Sequence, residues 1–165
     1  MLAAWTAASH SGFSRDGLAR LVLSDLAASL AGNVAALVST RNDPDCANGG
    51  RASEANALWE CAQRALAAAV VFERERGCWE DLAHYLGTTA DEAEHRFVPV
   101  LAEWEDVLER SAADRPVRGI PQAVQKPEYV GSCLDRWAFH RITLTKDQHE
   151  VTGSLLGRPG SGEGG

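Results

Sequence analysis

The side chains in this 165-residue sequence best suited to holding a metal or attacking a substrate are five histidines and four cysteines. Glu92-Ala93-Glu94-His95 forms a Glu-x-x-His unit, which di-metal helical bundles use twice, on separate helices. It occurs once here, so no di-metal centre is expected. Glu80 with His84, and Asp91 with His95, stand four residues apart on a helix face, and surface ion pairing accounts for both. Cys46, Cys61, Cys78 and Cys133 are separated by 15, 17 and 55 residues. Zinc ribbons and fingers take ligands in close pairs, so these thiols are read as free. No nucleophile elbow, phosphate-cradling glycine loop or dinucleotide fingerprint is present. The expectation is a protein that is not an enzyme and takes no metal or cofactor.

The elements that must position these residues follow from composition and periodicity. With 45% hydrophobic and 24% charged residues, the chain is expected to fold as a globular domain, not a disordered or fibrous one. Residues 1–14 carry no basic run ahead of their apolar residues, so a secretory signal is not expected. The longest apolar stretch, residues 21–38, is interrupted by Asp25 and Asn33 and reads as short of a bilayer span. A cytoplasmic protein without membrane contact is expected. Charge is unevenly spread: residues 72–114 hold twelve acidic and four basic side chains, a net −8 against −7 for the whole chain.

The pattern predicts an all-α fold: a long antiparallel helical hairpin, a helix-turn-helix, and a partly extended C-terminal arm. Residues 1–15 are expected to be a flexible N-terminus, and 16–113 a helical domain. Within that domain Asp16 caps a helix over residues 17–39. Its apolar stripe is Leu18, Val22, Leu26, Leu30, Val34, Leu37 and Val38. Ser53 caps a second helix over 54–76, whose inner face holds Leu58, Trp59, Ala62, Leu66, Ala69 and Val70, with Gly77 as its C-terminal cap. A short helix ends at Gly87, and Thr88 or Thr89 caps the next, which Pro99 interrupts or restarts. Residues 114–156 read as a proline-containing basic arm, irregular to residue 131, then a short helix over 133–141 with Leu134 and Trp137 on one face. Residues 142–145 could form a lone strand or an extended segment, and residues 157–165 a disordered tail. The five tryptophans fall about one per helix and read as core anchors.

Residues 79–97 fit a helix-turn-helix template. Leu82 and Leu86 provide an inner face, Ala83 and Ala93 permit close approach, Gly87 supplies a positive φ for the turn, and Phe97 closes the core beneath. The segment over residues 70–97 resembles small helix-turn-helix proteins of high-GC actinobacteria, related to the sigma-factor region that reads the promoter −35 element. Trp79, Leu82, Leu86, Gly87, Ala93, Arg96 and Phe97 carry the match, and Leu134-Asp135-Arg136-Trp137 looks similar less specifically. The resemblance implies a transcription-related regulator that binds DNA. Thr88, Thr89 and Arg96 would contact the backbone, and Arg115 and Arg118 would add basic contacts from the arm.

The departures from the family fall on the recognition helix. Where the family places Ser-Arg-Gln-Ala-Ala, this chain has Thr89-Ala90-Asp91-Glu92-Ala93. Duplex affinity comes largely from neutralising phosphates, and acidic side chains oppose that approach. Near a helix N-terminus the same acids stabilise the helix through its dipole. The alternative function is therefore a protein-interaction module in which Asp91, Glu92 and Glu94 meet a basic protein partner. The hairpin could also form a homodimer, and an exposed apolar stripe would mark that.

Overall fold

The computed structural model describes residues 12–41, 43–111, 120–142 and 149–156, and every described regular element is helical. The helices are α1 (Arg15–Val38), α2 (Gly50–Arg74), α3 (Trp79–Leu86), α4 (Ala90–Ser111), α5 (Gln122–Gln125), α6 (Pro127–Arg141) and α7 (Thr152–Leu155). The all-α architecture with an α1–α2 hairpin is as the periodicity predicts. The expected flexible N-terminus up to residue 11, residues 143–145 of the expected strand, and the tail from 157 lie outside the described residues.

Several boundaries differ from expectation. Ser14, not Asp16, caps α1: its hydroxyl accepts from the Gly17 N–H at 3.2 Å, while Asp16 sits in the first turn, where its charge favours the dipole. α2 starts at Gly50 behind Gly49, whose φ of 86° is left-handed, and Ser53 lies inside the helix with its N–H bonded to the Gly49 carbonyl. Arg51 ties this start to the preceding loop through Asp43 and pairs with Glu54 within the helix. Gly77 does not cap α2. The helix stops at Arg74; the Gly77 N–H bonds the Glu73 carbonyl at 2.9 Å without a left-handed φ, and the Arg74 guanidinium bonds the Gly77 carbonyl and lies 4.4 Å from the Trp79 ring centroid. α4 runs unbroken through Pro99. The proline ring forfeits only the hydrogen bond to the His95 carbonyl, at a solvent-exposed position.

The region after residue 120, expected to be irregular up to 131, is helical. Pro121 immediately precedes α5, and Pro127 is the first residue of α6, a position that has no use for an N–H. The helix expected over 133–141 therefore begins a turn and a half earlier, and Ile142 ends it. Thr152–Leu155 adds a short helix that periodicity did not reveal.

The core forms around the first half of α1. Leu18, Ala19, Leu21 and Val22 are packed among Ala68 and Val71 of α2, Trp104 of α4, Ala123 and Val124 of α5, and Val130 and Leu134 of α6. Arg15 pairs with Glu75 at 2.6 Å and also with Glu105, holding the start of α1 against the ends of α2 and α4. Gly131 lets α6 approach closely: a Cβ there would lie 2.5 Å from Thr152 Cγ2 and 3.5 Å from Phe13 Cζ.

The hairpin outruns this core. Beyond residue 26 nothing in α1 is buried, and the outer part of its predicted stripe stands in solvent, with Val34 48% and Val38 76% exposed. On α2, Trp59 is 62% exposed, not on the inner face, because α2 meets the core with the side that carries Cys61, Ala68 and Val71. By length and composition α1 is apolar enough to cross a bilayer, despite Asp25 and Asn33. Its first half is nonetheless built into the core, and α2 lies along it.

Candidate functional site

The α3–α4 corner is built from its turn outward. Gly87 has a φ of 66°, the Thr88 N–H bonds the Ala83 carbonyl at 3.1 Å, and the Gly87 N–H bonds the His84 carbonyl at 3.4 Å. These are the paired bonds of a Schellman cap, which satisfies the last carbonyls of α3 and turns the chain sharply. Ala83 and Ala93 are buried, Ala93 completely, and Phe97 closes the space under them. A larger side chain at position 83 or 93 would push the two helices apart.

The start of α4 is a reciprocal capping box. The Glu92 N–H donates to Thr89 Oγ1 at 3.3 Å, and Glu92 Oε2 accepts from the Thr89 N–H at 3.0 Å. The same oxygen accepts from the Thr88 hydroxyl at 2.6 Å and the Thr89 hydroxyl at 3.0 Å. These bonds, the Thr88 one foremost, hold the Glu92 carboxyl below its ordinary pKa. The structure thus brings Thr88, Thr89 and Glu92 together, as partners of one another. The Thr-x-x-Glu spacing that signals such a box is legible in the sequence.

Asp91 and Glu94 stand exposed beside this cap, and with His95, Val98 and Pro99 they border one surface depression. Arg96 is exposed one position on, its guanidinium carbon 4.8 Å from the Phe97 ring centroid. Arg115 and Arg118 lie outside the described residues. Further along α4, Glu103, Glu105, Asp106 and Glu109 are exposed, with Arg110 bridging back to Asp106 at 2.7 Å. The acidity of the sequence block is therefore displayed at the surface along α4.

Two features escaped the sequence reading. Asp135, buried on α6, accepts from the Val151 N–H at 2.7 Å, the Thr152 N–H at 2.9 Å and the Thr152 hydroxyl at 2.6 Å, fastening α7 to α6. Its signal is a lone acid between the apolar Leu134 and Trp137, a position that demands partners. The second is a groove of about 650 Å³ between α1, α2, α4 and residues 120–122. It is partly lined by Asp25, whose carboxyl burial pushes above its ordinary pKa. Among the described residues no cluster of three His, Cys, Asp or Glu side chains is placed to hold a metal ion. Comparison with protein-family models, curated proteins and solved structures finds no match to this chain.

Proposed function

We infer that this chain is a regulator of helix-turn-helix architecture whose α3–α4 corner meets a basic protein partner instead of reading a DNA duplex. What supports this reading is the Glu92 carboxylate. It takes up the hydroxyls of Thr88 and Thr89, the groups that would donate to phosphate, and places a negative charge at the N-terminus of α4. Asp91 and Glu94 extend that charge into solvent. A duplex with one charge per ~1.7 Å of axis is repelled by such a surface, whereas a lysine- or arginine-rich protein face is attracted to it. In this reading the chain acts in the cytoplasm and without catalysis.

A second reading, DNA binding, is favoured by the Schellman turn and the small residues Ala83 and Ala93, which suit a helix-turn-helix, and by the exposed Arg96. Fluorescence anisotropy against mixed-sequence genomic duplexes, at about 50 and about 200 mM salt, separates the two. The protein-partner reading expects no binding at micromolar protein. It also expects a photo-crosslinking residue in place of Glu94 to capture a protein, with Asp91→Lys abolishing the capture. Duplex binding that weakens steeply with salt would overturn it in favour of DNA.

A further inference from the structure

We propose that the groove between α1, α2 and α4 is an effector site for a small organic cation, a protonated amine on an apolar body. Its ammonium pairs with Asp25, and a hydroxyl or carbonyl oxygen of the same molecule accepts from the Trp104 indole. The groove is a different surface from the α3–α4 corner, so the proposal stands whichever macromolecule that corner meets.

The groove has the size and lining of a ligand site. Its volume of about 650 Å³ lies within the range of small-molecule pockets, roughly 300–1,000 Å³. Val22 and Leu26 of α1, Val71 of α2, Val107 of α4 and Ile120 supply apolar wall. Two polar groups set among them lack partners. Trp104 is only 8% exposed, and its Nε1–H is buried without an acceptor. Buried donors in native proteins are nearly always paired, so an orphan in the wall of a groove marks a bond still to be made. Asp25 is half-buried, and no hydrogen bond or ion pair from the described residues reaches it. Asp135 shows what a carboxylate taken out of water ordinarily acquires, with three donors around it.

Charge decides the class of ligand. An anion brings a second negative charge up to Asp25 in a site drier than water, and Glu103 at the rim adds a third. A neutral apolar molecule displaces water from Asp25 and leaves its charge bare. An ammonium group supplies the missing counter-charge together with three donors. Arg64, the one basic side chain on this lining among the described residues, is exposed on α2, where water screens it. An occupant touching α1, α2, α4 and Ile120 at once ties the hairpin to the rest of the core and stabilises the fold by mass action.

The test is a titration of the isotope-labelled full chain with phenylethanolamine, which carries an ammonium, a hydroxyl and a phenyl ring. The readout is the indole N–H resonance of Trp104, assigned from triple-resonance spectra. The expected result is a saturable shift of that resonance, with a Kd of about 1 mM or tighter for so small a probe. Phenylethanediol, the neutral analogue, should bind at least about fivefold more weakly, and mandelate, the anionic one, more weakly still. Asp25→Asn, its fold verified by circular dichroism, should erase the preference for the amine over the diol. The absence of a saturable shift up to about 10 mM amine would overturn the proposal, leaving the groove to water or to the chain itself. Equal binding of the three probes would overturn it as well, as would a preference for the amine that survives Asp25→Asn.

Discussion

Two carboxylates in this molecule respond to pH in opposite senses, and each sense follows from its neighbours. Glu92 is held below its ordinary pKa by three donors around one oxygen. Its contribution to folding is present above the unfolded value of 4.5 and is lost as pH falls through the depressed folded value. Glu92→Gln should flatten that acid limb of the stability curve in urea titrations from pH 7 down to pH 3. An unchanged limb would mean that the capping box is not formed in solution. Asp25 is raised because its surroundings in the groove are drier than water. The native state then holds the proton more tightly than the unfolded chain, so stability falls as pH rises from 3.8 through the raised folded value. Asp25→Asn, which cannot ionise, is expected to stabilise the protein at pH 7 and to have a smaller effect near pH 3. A loss of stability at pH 7 would show that the Asp25 charge has a partner that favours it.

At the scale of elements the α3–α4 corner depends on a single backbone conformation. Space is not what confines position 87, since a Cβ there meets nothing within 4 Å. The constraint is the φ of 66°, which an L side chain adopts at a cost of about 1–2 kcal/mol. Gly87→Ala should therefore lower the unfolding free energy by about that amount, and Gly87→Asn by less, measured by chemical denaturation. Equal effects of the two would point to a steric cause. This corner was legible in advance because its signals are local: a glycine at a turn, alanines at fixed offsets, a threonine at the start of the second helix. The hairpin was legible from its two long apolar periodicities. Which side of α2 faces inward was legible only in part: Val70 is buried as expected, but Trp59 and Cys61 are both apolar and stand about 200° apart on the helix, so periodicity alone does not choose between their faces. The C-terminal helices were missed for a related reason. Pro121 and Pro127 read as breakers, whereas a proline just before or at the first turn of a helix is an initiator, and the sequence around it does not distinguish the two roles. At the site, Glu92 was read as one of three equivalent acids; its pairing with the threonines depends on the cap geometry.

Across the whole molecule the two ends of the described chain are joined in one knot of packing. Phe13 at the entrance to α1, Gly131 on α6 and Thr152 at the start of α7 meet there, with Asp135 accepting the three hydrogen bonds that hold α7 in place. Asp135→Ala leaves two backbone donors and a hydroxyl without their acceptor and should cost about 2–3 kcal/mol. Amide hydrogen exchange at Val151 and Thr152 should accelerate together with that of Leu21, because the contacts are shared. Acceleration confined to residues 149–156 would mean that α7 is a detachable clip. The same knot bears on how the protein is made. The side of α1 that ends beneath Val130 and Leu134 is synthesised roughly a hundred residues before those side chains exist. At ordinary rates of synthesis that is an interval on the order of ten seconds. During it an apolar helix has only α2, and then α4, to lean on. Until α5 and α6 emerge, the side of α1 that they cover in the finished fold stays open to water.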